Sequence, residues 1–267
     1  MTRRALITND DGIESAGLRH LARVARDAGF EVVVAAPRDE SSGSSASLTA
    51  VQADGRVIVE ARKLGQDLEG VPAFAVAATP GFIALIASRG AFGPRPDVVL
   101  SGINRGANTG HAILHSGTVG AGLTACTQRC RAMAVSLAGS APTHWTTAAL
   151  VAREALGHLL ASDAAVVLNV NVPDLPMADV RGLRHARLSS FGAVQTTIAE
   201  VGQGYVRVGV SDLEAEREPG SDATLLAAGF ATVTALDPIC ERDVDLPGIP
   251  RPRREESLQP MQGRVSG

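Results

Sequence analysis

The first part of the chain alternates short apolar runs with segments whose apolar residues recur at helical spacing. Residues 5–8 form an apolar run that ends in Asn9-Asp10-Asp11-Gly12, which predicts a buried strand and then a turn. Apolar positions over residues 15–28 predict a helix, and Gly29 stands where its carboxyl-terminal cap is expected. Residues 30–35 are rich in β-branched side chains and predict a second strand. This strand–helix–strand unit predicts a parallel sheet with a right-handed crossover.

The same alternation continues to about residue 172. Further strands are predicted at residues 98–100, 132–137 and 166–172, with weaker signals at 57–59 and 73–76. Further helices are predicted at residues 81–88, 118–131 and 143–160. Strands that alternate with helices are typical of an α/β fold with helices on both faces of the sheet. We therefore expect a three-layer, Rossmann-like α/β core with a mainly parallel sheet over residues 1–185.

The pattern changes after residue 185. Short alternating strands over residues 184–210 predict a β-hairpin, residues 212–222 are acidic and typical of a loop, and residues 230–236 predict a further strand. Residues 247–267 are rich in proline and arginine, which predicts a flexible tail. We expect a β-rich carboxyl-terminal extension over residues 186–246.

Composition excludes several classes of partner. The chain has 267 residues, of which 45% are hydrophobic, so it needs no disulfide or metal in order to fold. Its 25 basic and 28 acidic residues give a net charge of −3, which lacks the basic footprint of a protein that binds a nucleic-acid polymer or a membrane surface. Aromatic residues make up 3% of the chain, which is few for stacking single-stranded nucleic acid. The single lysine, Lys63, lies in a polar stretch and disfavours Schiff-base chemistry or a Walker-type phosphate loop.

The cysteines and the amino terminus bear on the compartment. Cys126 and Cys130 are four residues apart in a predicted helix, where such residues usually pack as small apolar side chains, and Cys240 has no neighbour in sequence. The amino terminus runs directly into a short strand without the apolar core of a signal peptide. No apolar run approaches the length of a membrane span. We expect a soluble, cytoplasmic protein.

Two loops that follow predicted strands carry candidate chemistry. In a doubly wound sheet, ligands bind beyond the carboxyl ends of the strands. Asp10 and Asp11 are adjacent after a buried strand, and a divalent cation would relieve their repulsion because hard cations take oxygen ligands. Alternatively, Asp10 caps the next helix and Asp11 faces water. The serine-rich loop at residues 38–47 could bind a metal or a phosphate, or could be a flexible, solvated insertion.

A third loop is more informative. Residues 101–110 carry regularly spaced glycines and the amide side chains of Asn104 and Asn108, and Ser116-Gly117-Thr118 follows at a predicted helix start. Glycines let the backbone approach a ligand closely, and a helix amino terminus is an anion site. A merely tight loop is the alternative. The carboxylates, the serine and asparagine oxygens and the helix start together predict metal-assisted hydrolysis of a phosphate ester.

Five blocks of the chain, in order and spacing, resemble the survival protein E (SurE) nucleotidases: Thr8–Ile13, Ala36-Pro37 with Ser42-Gly43, Ser101–Asn108, Ser116–Val119 and Leu168–Pro173. The resemblance implies a divalent-metal-dependent phosphatase that hydrolyses nucleoside monophosphates, and some members also cleave polyphosphate. It implies one divalent ion per subunit, Mg²⁺ or Mn²⁺. It also implies a homodimer or homotetramer in which the carboxyl-terminal β-rich arm reaches a neighbouring subunit.

The resemblance also implies the roles of individual residues. The positions that match the family's metal ligands are Asp10, Asp11, Ser42 and Asn104. The positions that match the phosphate site are Asn108, Ser116, Gly117 and Thr118. In this mechanism Asp10 or Asp11 acts as the base toward the attacking water, and the Asn108 amide stabilises charge on the phosphoryl group. The sequence does not decide which of the two carboxylates acts as the base.

The sequence departs from the family at several positions. The family motif Gly-Thr-Pro-x-Asp reads Ala78-Thr79-Pro80-Gly81-Phe82, so that an aspartate is lost. His115 replaces a common tyrosine, and Thr124 replaces a glutamate. These departures affect the expected substrate preference and subunit contacts rather than the proposed metal ligands. His111 and His115, four residues apart, are a weak candidate metal pair, and His115 is also a candidate general acid or phosphate contact.

Other classes of function remain open. A non-catalytic nucleotide-binding or regulatory protein could keep the phosphatase fold, and a glycosyltransferase or an NAD(P)-dependent oxidoreductase could share the doubly wound sheet. The first loop lacks the dinucleotide fingerprint, which disfavours the oxidoreductase. Few rings are available to sandwich a nucleobase, and the ones considered are Phe82, Phe92, Phe191 and Tyr205. We therefore expect loose selection among bases.

Overall fold

The computed structural model describes residues 3–162, 166–190, 195–202, 205–211, 218–241 and 247. The strands are β1 (Arg4–Thr8), β2 (Glu31–Pro37), β3 (Gln52–Ala53), β4 (Arg56–Val57), β5 (Val59–Arg62), β6 (Ala73–Val76), β7 (Val98–Arg105), β8 (Arg131–Leu137), β9 (Val167–Val172), β10 (Leu183–His185), β11 (Gln195–Gly202), β12 (Tyr205–Ser211) and β13 (Ala231–Leu236). The helices are α1 (Ala16–Asp27), α2 (Pro80–Ser88), α3 (Gly117–Thr127), α4 (Trp145–Ala161) and α5 (Asp222–Ala227).

A nine-stranded sheet organises these elements in the order β10-β13-β9-β8-β7-β1-β2-β6-β5. Each neighbouring pair from β9 through β6 is parallel, whereas β5 is antiparallel to β6 and β13 is antiparallel to β9. One core cluster lies between the sheet and α1 and α4, and a second lies between the sheet and α2 and α3. The predicted three-layer α/β fold with a mainly parallel sheet is confirmed.

Strand β1 shows why the sequence reads as a continuous apolar run. Ala5 and Ile7 belong to the core cluster with α1 and α4, and the intervening Leu6 belongs to the cluster with α2 and α3. Successive side chains of a strand point to opposite faces, and helices cover both faces of this sheet. Each of these three residues is therefore fully buried. On the helix side, Ser15 caps α1 by accepting a hydrogen bond from the backbone N–H of Leu18.

The strand order reverses beside β1. The chain passes from β1 to β2 and β6 on one side, and then crosses to β7, β8 and β9 on the other side. The crevice at such a switch point is where ligands bind in doubly wound folds. Strand β7 extends to Arg105, five residues beyond the predicted end at residue 100. Asn104 therefore lies in a strand, and the strand continues because its pairing with β8 resumes after a register shift between Ser101 and Asn104.

One strand of the predicted carboxyl-terminal extension joins the sheet of the core. Strand β13 lies inside the main sheet, between β10 and β9. It pairs antiparallel along the outer edge of β9, from Thr232 opposite Asn171 to Leu236 opposite Val167. An alternating pattern specifies that a segment is a strand but not its partner, so the sequence could not place β13. The predicted β-hairpin is confirmed as the antiparallel pair β11–β12.

Some sequence expectations fall outside these elements. The predicted tail at residues 247–267 lies outside the described residues except for Pro247. Helix α5 begins at Asp222, at the end of the segment that the sequence indicated as a loop. Cys126 and Cys130 are buried in the cluster against α2, which confirms their packing role. Across the described ranges, no helix has the length and apolar character needed to cross a bilayer.

Candidate active site

Asp10 follows β1 and is held at the first turn of α3. Its side chain is buried, and its Oδ2 atom accepts a hydrogen bond from the backbone N–H of Thr118 at 3.1 Å. The Thr118 hydroxyl donates to the Oδ1 atom of the same carboxylate. A helix amino terminus stabilises an anion through its unpaired N–H groups and its dipole. The helix start that the sequence indicated as a phosphate site therefore binds the protein's own Asp10 carboxylate at Thr118.

Asp11 lies beside the end of β7. Its Oδ2 atom accepts a hydrogen bond from the backbone N–H of Arg105 at 3.1 Å. The Arg105 guanidinium is 3.9 Å from the Asp11 Oδ1 atom and 3.5 Å from the carboxylate of Glu40. The Asp11 side chain is only 9% exposed, so it does not face open water as in the alternative that the sequence left open. The ends of β1 and β7 thus meet through the two aspartates and Arg105.

Burial disfavours the ionised form of both aspartates. Burial raises the pKa of Asp10, and its hydrogen bonds from Thr118 oppose that rise. Burial also raises the pKa of Asp11 to about 6, where the Arg105 backbone N–H opposes the rise and the Asp10 charge adds to it. The site therefore favours a positive charge beside the two carboxylates.

The serine-rich loop forms one wall of this site. The Ser41 backbone N–H donates to the Asp10 carbonyl at 2.7 Å, and the Ser45 hydroxyl donates to the Leu114 carbonyl at 2.6 Å. Ser42 is exposed at this loop, and its hydroxyl donates to the Glu40 carboxylate at 2.7 Å. The loop is bound to the site at both ends, so it is not a solvated insertion.

Two glycines of α3 explain how this loop can lie so close to the helix. A Cβ atom on Gly117 would lie 2.5 Å from the Ser44 hydroxyl oxygen and 2.9 Å from the Asp10 Oδ2 atom. A Cβ atom on Gly120 would lie 2.2 Å from the Ser45 carbonyl oxygen. All three distances are shorter than van der Waals contact, so only glycine fits at either position. Two glycines three residues apart at the start of a helix are the sequence signal that could have predicted this close approach.

Asn104 and Asn108 come from β7 and the loop after it. The Asn104 Nδ2 atom donates to the Gly106 carbonyl at 2.8 Å, which orients the amide and leaves its oxygen as a possible ligand. The Asn108 Nδ2 atom donates to the Ser136 hydroxyl on β8 at 2.8 Å. The structure thus positions both amides beside the ends of the central strands.

Two asparagines of β9 clamp the backbone of Asn108. The Asn171 Oδ1 atom accepts a hydrogen bond from the Asn108 N–H at 2.7 Å. The side-chain amides of Asn169 and Asn171 both donate to the Asn108 carbonyl at 2.9 Å. Asn169 and Asn171 are fully buried, and the sequence analysis assigned them no role. Two buried asparagines in an apolar strand were the available signal, because a buried amide needs a hydrogen-bond partner.

The helix start contributes less free hydrogen-bonding capacity than the sequence suggested. The Ser116 hydroxyl caps α3 by accepting from the Val119 backbone N–H at 3.1 Å. Thr118 binds Asp10 through both of its donors. Phosphate binding by Ser116, Gly117 and Thr118 stays a prediction, and the observed contacts give Ser116 and Thr118 structural roles.

Asp222 of α5 is a third residue near the site, after Asn169 and Asn171, for which no role was predicted from the sequence. It is fully buried, and its carboxylate accepts hydrogen bonds from the backbone N–H groups of Gly110 at 2.9 Å, Ser189 at 3.0 Å and Ala223 at 2.8 Å. Gly110 is two residues after Asn108, so Asp222 connects the carboxyl-terminal segment to the loop that carries Asn108. Only the fold brings these positions, 112 residues apart, into contact.

The donor set is compatible with a hard divalent cation. Asp10 and Asp11 offer carboxylate oxygens, Ser42 offers a hydroxyl and Asn104 offers an amide oxygen, and such ligands suit Mg²⁺ or Mn²⁺. The Ser44 hydroxyl near the Asp10 carboxylate is buried, and no protein group in the described chain forms a hydrogen bond with it. A buried polar atom without a partner indicates a place for an ion or water. Within the described residues, no group of three His, Cys, Asp or Glu side chains is placed to hold a metal, so His111 and His115 gain no support as ligands.

Residues 5–193 match the family model of survival protein SurE. The chain belongs to the SurE family. It is 37% identical over 240 residues to the 5'-nucleotidase SurE of Stenotrophomonas maltophilia (strain K279a), covering 87% of this chain and 89% of that protein. It is 34% identical over 238 residues to the 5'-nucleotidase SurE of Legionella pneumophila (strain Lens), covering 87% and 90%. The crystal structure of the SurE protein from Aquifex aeolicus superposes with a TM-score of 0.75 at 26% identity, covering 89% of this chain and 94% of that one.

Membership of the SurE family is thus shown, as the five sequence blocks predicted. The departures from the SurE pattern lie around the site rather than in its centre. His115 is exposed, and Thr124 donates its hydroxyl to the Gly120 carbonyl within α3. Phe82 is partly buried in α2. The described hydrogen bonds and ion pairs of the Asp10 and Asp11 side chains are with Thr118 and Arg105, and not with any of these three residues.

Proposed function

We propose that this chain is a 5'-nucleotidase-type phosphomonoesterase that hydrolyses nucleoside monophosphates and requires one divalent cation, Mg²⁺ or Mn²⁺, per subunit. The observation that carries the proposal is the pair Asp10 and Asp11 at the switch point of the sheet, with the first carboxylate bound to the start of α3. The nucleotidase names of the relatives support the same substrate class. Short polyphosphate is a second candidate substrate, because the half-exposed Arg105 guanidinium offers a positive group at the rim for a further phosphate.

The proposed mechanism assigns different tasks to the two aspartates. A bound divalent cation, held by Asp10, Asp11, Ser42 and Asn104, would polarise a phosphoryl oxygen. Asp10 is fixed through both carboxylate oxygens by Thr118, so its task is to hold charge in one position. We assign the base role to Asp11, because Thr118 binds both oxygens of Asp10, whereas the described hydrogen bond to Asp11 occupies only its Oδ2 atom. It would take the proton of the water that attacks phosphorus in line.

The loop after β7 would stabilise negative charge on the phosphoryl oxygens. The Asn108 amide is a candidate donor to these oxygens, and its backbone is held in place by Asn169 and Asn171. A donor that is fixed before the reaction need not reorganise when charge develops, which is the source of its catalytic value.

We also propose that the active species is a homodimer or homotetramer assembled through the β11–β12 arm. Within the described chain, β11 and β12 pair only with each other, so no strand of the main sheet pairs with them. Light scattering after size-exclusion chromatography tests this assembly, with a variant that lacks residues 195–211 as the comparison.

Phosphate release from a panel of nucleoside monophosphates and short polyphosphate, measured with Mg²⁺, Mn²⁺ or EDTA, tests the proposed activity. We expect turnover with a divalent cation, none with EDTA, and none for Asp10→Ala with the circular dichroism spectrum retained. Full turnover by Asp10→Ala would refute the proposed site. Binding of nucleotides without phosphate release under any cation would instead support the non-catalytic alternative.

A further inference from the structure

A cleft of about 200 Å³ opens next to the candidate active site, at the carboxyl ends of β2 and β6. One side of it is formed by the loop that begins at Pro37, and the other by the segments that contain Val51 and Thr79. Its place at the carboxyl edge of the parallel strands is where ligands bind in this fold.

Ser41 connects the cleft to the catalytic residues. It lines the cleft, and its backbone N–H donates to the Asp10 carbonyl at 2.7 Å. Asp39 also lines the cleft, and its backbone carbonyl carbon lies 3.5 Å from where a Cβ atom would be on Gly12, in the loop after β1. A substrate whose phosphate lies at Asp10 and Asp11 therefore has this cleft as an immediate neighbour.

Hydrogen bonds hold the outer wall of the cleft in place. The Thr79 N–H donates to the Thr49 carbonyl at 2.9 Å, and the Val51 N–H donates to the Ala77 carbonyl at 2.8 Å. The Thr79 hydroxyl donates to the Ser47 carbonyl. The wall is formed before any ligand binds, which lowers the entropic cost of binding.

The lining suits an apolar ring rather than a charged group. Aliphatic residues dominate it: Pro37, Ala50, Val51, Val76, Ala77 and Ala78. Val51 is 60% exposed, so an apolar ligand would cover a side chain that otherwise faces water. The charged lining residues Arg38 and Asp39 pair with each other at 3.0 Å.

The size of the cleft limits which part of a nucleotide it can hold. Sites that enclose drug-sized ligands measure roughly 300–1,000 Å³, so this smaller cleft suits a single ring system. Phe82 and Phe92, two of the rings considered for stacking on a base, do not line the cleft. Phe92 stacks instead on Phe74, with ring centroids 5.4 Å apart. Phe191 lies outside the described residues, and nothing is described of the Tyr205 side chain.

We infer that this cleft receives the nucleobase of the substrate while the phosphate lies at Asp10 and Asp11. The inference rests on the proposed nucleotidase function and specifies how that site would recognise a nucleoside. Aliphatic side chains can contact the faces of any base, and they form no hydrogen bonds with its polar edges. The cleft therefore accounts for loose base selection in a chain with few aromatic residues.

Two variants test the cleft. Ala78→Leu enlarges the side chain of a residue that lines the cleft, and Val51→Asn makes an exposed lining residue polar without adding charge. The readout is the ratio of kcat/KM for AMP to kcat/KM for methyl phosphate, which has no ring. We expect Ala78→Leu to lower this ratio about tenfold and Val51→Asn to lower it several-fold, where tenfold corresponds to about 1.4 kcal/mol. Val59→Asn is the matched control, because Val59 is 43% exposed and does not line the cleft, and its ratio should equal that of the wild type.

Adenosine binding, measured by calorimetry without added metal, separates this inference from the proposed activity. The cleft predicts that Val51→Asn weakens adenosine binding and that Val59→Asn does not, whether or not the protein releases phosphate. Equal binding by the two variants, or no binding of adenosine by the wild type, would overturn the cleft assignment. If the wild type binds adenosine but releases phosphate from neither AMP nor methyl phosphate, the nucleotidase proposal is overturned. The cleft then stands as a binding site for the base.

Discussion

Thr118 donates both its backbone N–H and its hydroxyl to the carboxylate of Asp10, 108 residues earlier in the chain. The contact joins the end of β1 to the first turn of α3 and fixes both oxygens of a buried carboxylate. A group held in this way keeps its geometry when substrate binds, which is what a catalytic site needs.

Thr118→Val removes the hydroxyl donor to Asp10 and preserves the shape of the side chain and the backbone N–H. Loss of one hydrogen bond to a buried charge costs about 1–3 kcal/mol, so we expect kcat/KM for a nucleoside monophosphate to fall about ten- to hundredfold. Phosphate release measures it. Thr127→Val is the control, because Thr127 is exposed at the end of α3. Wild-type activity in Thr118→Val would show that the hydroxyl contact does not matter for the reaction.

Gly117→Ala tests the close approach of the serine-rich loop to α3. The new Cβ atom would lie 2.5 Å from the Ser44 hydroxyl oxygen and 2.9 Å from the Asp10 Oδ2 atom, so Asp10 or the loop must move. We expect a loss of about 1–3 kcal/mol in the free energy of unfolding, together with a loss of phosphatase activity.

Gly157→Ala is the matched control for this variant. Gly157 is exposed within α4, and nothing lies within 4 Å of where its Cβ atom would be. Alanine favours a helix over glycine, so we expect a gain of about 0.5–1 kcal/mol and full activity. Urea unfolding measures both variants, and equal stability of the two would contradict the packing described for Gly117.

The pKa of Asp11 predicts how the stability of the metal-free protein depends on pH. Burial raises this pKa from 3.8 to about 6 in the folded state, so the folded protein binds a proton more tightly than the unfolded chain. The contribution of Asp11 to stability is therefore most favourable below pH 4 and is lost as the pH rises through about 6. In EDTA, raising the pH from 5 to 7.5 should lower the melting temperature of the wild type more than that of Asp11→Asn.

Comparison with Asp11→Asn is needed because other groups titrate in the same range. The pKa of His20 is lowered by burial, which gives a stability change of opposite sign that both proteins share. Added Mn²⁺ should raise the wild-type melting temperature more at pH 7.5 than at pH 5, because a protonated carboxyl is a poor ligand. Parallel melting curves for the two proteins at every pH would contradict the raised pKa.

Asp222→Ala tests the contact between the carboxyl-terminal segment and the Asn108 loop. The substitution leaves the N–H groups of Gly110, Ser189 and Ala223 without this acceptor. We expect a loss of about 3 kcal/mol in the free energy of unfolding, measured in urea. Asp27→Ala, at an exposed position in α1, should change stability by less than about 0.5 kcal/mol. A similarly small effect for Asp222→Ala would contradict the role of its carboxylate.

Local pattern was sufficient for most elements of the core. Helix α1 is an example, because its apolar spacing, the Ser15 cap and the following Gly29 are all encoded within a short stretch. The buried strands β1 and β8 were equally clear, since helices cover both sheet faces and these strands are mostly apolar on both sides. The adjacent carboxylates and the asparagines also indicated the edge of the sheet at which chemistry would occur.

Contacts between distant segments needed the fold. The place of β13 between β9 and β10 depends on an unpaired sheet edge, which alternation within one segment cannot specify. The same holds for Asp222 at Gly110 and for Asn171 at Asn108. Such pairs follow from the way in which strands and helices pack, and no residue's immediate neighbours encode them.

The chain's sequence was thus enough to establish an α/β fold of the SurE type and the residue types of an oxygen-rich site. The tertiary structure decided which of those residues meet. In the folded chain, the start of α3 binds the Asp10 carboxylate, and the serine-rich loop forms a wall of the site. A cleft lies beside that wall. The physical reason is that element type follows from short-range periodicity, whereas a site is made of long-range contacts that exist only once the sheet and its helices have packed.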